Sequence, residues 1–163
     1  MNRIIVAGNW KMNLGPREAE AFLDAFLPRF RAMERPAGLE VVLFPPALSL
    51  DAARRRLEVG FPAHASERLF LGIQQIHPEA SGAFTGENAG GHAREAGATR
   101  ALAGHSERRT LFHESDEQVA RRVQAALDAG LAPMRCVGET LTARKAGRLD
   151  EVLARQLDAV RAP

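Results

Sequence analysis

Arg100-Ala101-Leu102-Ala103-Gly104-His105-Ser106-Glu107-Arg108-Arg109 is the stretch on which the reading of this chain turns. Its first four residues read as a short strand, and Ser106 and Glu107 suit the first turn of a helix. A glycine and a histidine stand between the two. That arrangement puts an imidazole at the carboxyl end of a strand, where parallel α/β proteins gather their chemistry. A histidine in this position can polarise a carbonyl or carry a proton, and a helix amino terminus favours its neutral form.

Four other short apolar runs repeat the strand pattern: Arg3–Gly8, Glu40–Phe44, Leu69–Ile73 and Ala132–Val137. Together with Arg100–Gly104 they are short and rich in Val, Ile and Leu, as strands buried on both faces are. Helical patterns lie between them. Pro16 suits a first helical position, followed by the stripe Ala19, Phe22, Leu23, Phe26, Leu27 and Phe30, with Pro28 expected to kink or end that helix. Ser49 precedes Leu50, Ala53 and Leu57. A weaker helix covers Asn88–Ala96, where Gly90 and Gly91 disfavour it. Ser115 with Gln118 forms a capping box for a helix through Val119, Val123 and Leu127 to Gly130. A last helix carries Leu149, Val152, Leu153 and Val160. Five strands alternating with helices imply a parallel sheet with right-handed crossovers. The pattern fits an open doubly wound sheet and part of a (β/α) barrel equally.

At 163 residues, with 45% hydrophobic and 26% charged residues, the composition is that of one globular domain. No run approaches a membrane span, and Ile4-Ile5-Val6-Ala7 is too short for a signal-peptide core. Net charge is +2, and the basic runs Arg54-Arg55-Arg56 and Arg121-Arg122 read as solvated helix faces. Neither nucleic acid nor membrane is expected as a partner. Cys136 is the single cysteine, so no internal disulfide can form and a cytoplasmic location is expected. His64, His77, His92 and His113 lack metal-ligand spacing, and the glycines fit neither a dinucleotide fingerprint nor a P-loop. No metal or cofactor is expected.

The carboxyl ends of the strands share one rim in such a sheet, which can bring Lys11, His105 and Glu139 together. Only two of the 22 cationic residues are lysine, Lys11 and Lys145. Lys145 reads as a solvated residue near a helix start. Lys11 can hold an anion as a point charge, and Asn9 can orient a carbonyl or hydroxyl, or simply make a turn. Glu107 reads as the partner of a nearby cation, with Arg108, Arg109 and Lys11 as candidates. Glu139 reads as a residue fixing the loop after the fifth strand. Cys136 reads as a small buried hydrophobe.

Four segments together resemble the triosephosphate isomerase family: Ala7-Gly8-Asn9-Trp10-Lys11-Met12-Asn13, Gly82-Ala83-Phe84-Thr85-Gly86-Glu87, Gly104-His105-Ser106-Glu107-Arg108-Arg109 and Cys136-Val137-Gly138-Glu139. They occur in the family's order and span essentially the whole chain. Gln75 departs slightly, since asparagine is commoner there. The resemblance implies a (β/α)8 barrel of which residues 1–163 are one partial domain, units one to five, with strands six to eight missing. It implies interconversion of dihydroxyacetone phosphate and glyceraldehyde 3-phosphate, a step of glycolysis and gluconeogenesis. Asn9 and Lys11 would bind this small phosphorylated triose, with Lys11 and His105 catalytic and His105 the neutral electrophile. Ser106, Glu107, Cys136 and Glu139 would support the site. The family is homodimeric, so Thr85 would reach the partner's active-site region and Glu87 would meet the partner subunit's Arg108. The family's proton-abstracting glutamate follows a sixth strand, beyond the five units here. This stretch alone is therefore expected to be inactive, with a non-catalytic dimerisation or interaction module as the alternative. An enzyme of another class using His105 on an open sheet is a third reading.

Overall fold

A computed structural model describes residues 4–65 and 67–160. Its five strands are β1 (Ile4–Asn9), β2 (Leu39–Phe44), β3 (Leu69–Ile73), β4 (Arg100–Ala103) and β5 (Ala132–Arg135). The helices are α1 (Pro16–Ala32), α2 (Ala47–Gly60), α3 (Gly90–Glu95), α4 (Ser106–Leu111), α5 (Asp116–Asp128), α6 (Leu141–Lys145) and α7 (Leu149–Asp158). Every strand pairs in parallel, in the order β1-β2-β3-β4-β5. That order separates the two architectures. A doubly wound sheet reverses direction at a switch point, whereas a barrel adds each strand beside the one before it.

The two faces of the sheet agree with this. Leu43, Leu69, Leu71, Ile73 and Ala101 pack into one core with Leu23, Leu27 and Phe30 of α1 and Leu50, Ala53 and Leu57 of α2. The alternate residues Val42, Phe44 and Leu102 form a second cluster with Phe70, Met134 and Cys136, all from the strands or their ends. Helices cover one face, and the other is filled by side chains of the strands, as in a barrel interior. Gly72 makes room there: a Cβ at this position would collide with the ring of Phe44.

At the amino-terminal end of the same face, Glu40 is buried between two arginines. Its carboxylate lies 2.8 Å from Arg68 and 3.0 Å from Arg100, and the Arg100 guanidinium also covers the Phe70 ring. β1, by contrast, has one strand neighbour among the described residues, and Ile4, Ile5 and Val6 are exposed.

The elements depart from sequence expectation in specific ways. Arg3, expected to open the first strand, lies outside the described residues. α1 runs through Pro28 to Ala32 instead of breaking there. Leu27 and Phe30, on either side of the proline, are both buried, and their packing holds the last turn against the lost hydrogen bond. The capping box at Ser115 is present, with Gln118 N–H donating to its hydroxyl at 3.2 Å. The buried stripe of α5 is Val119, Val123 and Ala126, while Leu127 faces solvent. Lys145 is exposed as expected, at the end of α6 and just before α7 starts at Leu149.

The arginine runs divide between expectation and surprise. Arg54, Arg55 and Arg56 are paired with Asp51, Glu58 and Asp24 on the outer surface. Arg121 is exposed and pairs with Glu79, but Arg122 is buried rather than solvated. Arg122 Nη1 donates to the Ile76 carbonyl and its Nε lies 3.3 Å from Glu114. One helical step separates the solvent face from the core face, so adjacent arginines have opposite surroundings.

Candidate active site

Lys11 follows β1 in a loop held at several points. Trp10 N–H donates to the Phe44 carbonyl at 3.0 Å, and the indole packs edge-on against Phe22 of α1. Asn9 Oδ1 accepts the Lys11 amide at 2.9 Å, so Asn9 does make the turn considered for it. Lys11 itself adopts a left-handed backbone, φ 54°, which tips its side chain out of the strand direction.

The histidine is placed by a second turn. Gly104, at φ 72°, ends β4 in a conformation that favours glycine. His105 then caps α4, its Nδ1 accepting the Glu107 amide at 3.4 Å. Glu107 Oε2 lies equally close to this nitrogen, at 3.4 Å, so both contacts fix the Nδ1 edge of the ring. The imidazole is about three-quarters buried.

Glu107 joins the two. Its Oε1 lies 2.6 Å from Lys11 Nζ, and its Oε2 lies 3.4 Å from His105 Nδ1. The hydrogen bond from Lys11 holds the Glu107 carboxyl below its usual range against some opposing desolvation, with the charge of Lys11 adding to it. Glu107 is an ionised anchor, and of its three candidate cations Lys11 is the one it meets. Arg108 instead pairs with Glu114, and Arg109 donates to the Gly104 carbonyl at 2.9 Å and to Asp116 at 2.6 Å. Asp116 is shifted too: burial would raise its carboxyl, but hydrogen bonds from Arg109 and Arg155 outweigh that and hold it low.

Beside His105 opens a groove of about 890 Å3, lined among others by Ser106, Arg109, Val137 and Glu139. Glu139 is partly buried, its side chain 9% exposed, with Arg144 at 3.5 Å. It stands on the rim but is not joined to the Lys11–Glu107–His105 group. The loop after β5 is held chiefly by Gln156, whose side-chain amide exchanges two hydrogen bonds with Gly138, at 2.9 and 3.0 Å. Cys136 continues the ladder past β5, its amide donating to Ala103 at 2.9 Å, and burial pushes its thiol up. It behaves as a packing residue.

The segment Gly82–Glu87 lies on the loop after β3. Thr85 is exposed at its tip, and Glu87 is held by the Gln75 side chain with Arg122 at 3.9 Å. The sequence places Gln74 among the polar residues at the strand ends without giving it a role, and gives none to Gln156. Gln74 directly follows β3 on the same rim as Lys11, the one signal that could have singled it out.

The family model for triosephosphate isomerase matches residues 4–162. The chain belongs to the triosephosphate isomerase family. It is 45% identical, over its entire length, to the triosephosphate isomerase of Chromohalobacter salexigens, covering 61% of that protein. The Symbiobacterium thermophilum triosephosphate isomerase is 45% identical over 157 residues, 96% of this chain and 57% of its own. The crystal structure of triosephosphate isomerase from Bartonella henselae superposes with a TM-score of 0.82 at 38% identity, over 98% of this chain and 62% of that one. The chain thus spans about three-fifths of its triosephosphate isomerase relatives, and its five units form a half-barrel of that fold.

Proposed function

We propose that residues 1–163 form a single partial barrel domain carrying the electrophile and the anion-binding lysine of a triosephosphate isomerase. The reaction is interconversion of dihydroxyacetone phosphate and glyceraldehyde 3-phosphate through an enediolate, a cytoplasmic step of glycolysis and gluconeogenesis. The observation that carries the reading is the carboxylate of Glu107, set between Lys11 at 2.6 Å and the Nδ1 side of His105 at 3.4 Å.

Each group then has a defined task. The Lys11 ammonium attracts the substrate's phosphate and the negative charge that develops on its oxygens. Asn9 uses Oδ1 in the turn, so its Nδ2 is the group that donates to substrate. His105 donates from Nε2 to the carbonyl oxygen, stabilising the enediolate as the adjacent carbon loses its proton. A neutral imidazole in this role is characteristic of the triosephosphate isomerase family.

Neither rim carboxylate suits the base. Glu107 is tied to Lys11 and Glu139 is partly buried beside Arg144. We assign the base, the lid and the remaining phosphate contacts to sequence beyond the fifth unit. Two copies associate in this reading, Thr85 entering the partner's active-site region and Glu87 meeting the partner subunit's Arg108.

A coupled isomerase assay on the full-length protein and on residues 1–163 tests both parts. Turnover by the full-length protein is expected, with the shorter chain slower by at least about 10²–10⁴-fold for want of a base. An inactive full-length protein overturns the isomerase reading. Comparable rates from both would place the base inside the first five units.

A further inference from the structure

The loop from Lys11 to Leu14 contains two non-glycine residues in the left-handed region, Lys11 at φ 54° and Leu14 at φ 63°. Each is a conformation that an L side chain disfavours, and besides the local turns made by Asn9 and Asn13 it is held by contacts from outside the loop. The carbonyl of each is claimed by a side chain from another unit. Gln74, just past β3, donates from Nε2 to the Lys11 carbonyl at 2.8 Å. Ser49, in the first turn of α2, donates from Oγ to the Leu14 carbonyl at 2.7 Å.

Both donors are themselves fixed. Ser49 is fully buried, so its hydroxyl is held in place by packing. Gln74 Nε2 also donates to the Phe44 carbonyl at 2.8 Å, and that same oxygen accepts the Trp10 amide at 3.0 Å. One side-chain amide thus ties the ends of β2 and β3 to the backbone of the lysine. The contacts come from residues far apart in sequence, and no local turn chemistry supplies them.

We propose that Gln74 and Ser49 are positioning residues, a two-point clamp that holds the Lys11 loop in its left-handed form and so places the ammonium for an anionic substrate. Neither touches the reacting atoms; they act through the backbone of Lys11. The inference rests on the isomerase reading for its kinetic consequence, and on the loop geometry alone for its structural one. Without the clamp the loop relaxes toward right-handed or extended conformations, and Lys11 is withdrawn from both substrate and Glu107.

The test uses the full-length protein with Gln74→Met, Ser49→Ala and the pair, read by steady-state kinetics, amide hydrogen exchange and thermal unfolding. Removing the donors is expected to lower kcat/KM by about tenfold, with KM raised by the weaker hold on the anion and kcat lowered by the weaker stabilisation of developing charge. Exchange at amides 10–14 should rise about tenfold while α5 amides keep their protection. Leu14→Asn, which accepts a left-handed backbone more readily, should restore much of the loss in Ser49→Ala. Wild-type KM in both single variants overturns the proposal, as does a fall in melting temperature with loop exchange unchanged. If the unsubstituted protein shows no turnover, the isomerase reading fails; the exchange experiment then decides the clamp by itself.

Discussion

Lys11 Nζ lies 2.6 Å from Glu107 Oε1, joining the loop after β1 to the first turn of α4. Because the hydrogen bond from Lys11 depresses the Glu107 carboxyl, the sign of its pH dependence is set. The bridge is complete above the ordinary carboxylate range and is lost as pH falls through the lowered value. An NMR titration of Glu107 should show a midpoint below that of a free glutamate, and Lys11→Met should bring it back up. A midpoint at the ordinary value would contradict the bridge.

Lys11→Ala and His105→Ala in the full-length protein should each lower kcat/KM by roughly 10²–10⁴-fold, the range for a lost acid–base or oxyanion-stabilising group. Both residues are on the rim and outside the main core, so circular dichroism should be unchanged. Wild-type kinetics in either variant would remove that residue from the mechanism.

Glu40→Ala should be far more costly to the fold than to catalysis. It leaves the largely buried Arg100 without its carboxylate, whereas Arg68 is half exposed and can turn to water. A loss of about 3 kcal/mol is expected, the low end for a broken buried pair. Urea unfolding measures this directly. A midpoint like that of the parent would show that the two arginines find other partners.

Gly72→Ala drives a methyl group into the Phe44 ring, which is fully buried and cannot swing clear. A loss of about 1–3 kcal/mol is expected from overpacking. Phe44→Leu in the same chain should recover part of it, since the two residues share one space. Additive losses in the double variant would argue against the contact.

Much of this was readable in the chain because it is local. β3 spans Leu69–Ile73 as its apolar run suggests, and the Ser115–Gln118 box starts α5 because both halves lie within one turn. What local pattern could not show was long-range. The path of α1 through Pro28 depends on Leu27 and Phe30 meeting α2 and the sheet. The burial of Arg122 depends on the Ile76 carbonyl and Glu114. At the site, motif residues Lys11, His105 and Glu107 announced themselves by type. Gln74 and Ser49 did not, since a lone amide or hydroxyl shows its role only once its acceptor is known.

The strand order has a consequence for how the molecule is made. Each strand after β1 pairs with the one just before it in the chain. Once β2 has joined β1, no strand has to wait for a later one to find its first neighbour, and every pairing closes a loop of a single strand–helix unit, whose entropy cost grows only slowly with length. The sheet can therefore assemble from its amino terminus outward as the chain leaves the ribosome, at the pace of translation. Until synthesis is finished, the growing edge and the exposed β1 residues Ile4, Ile5 and Val6 are places where a chaperone would find it.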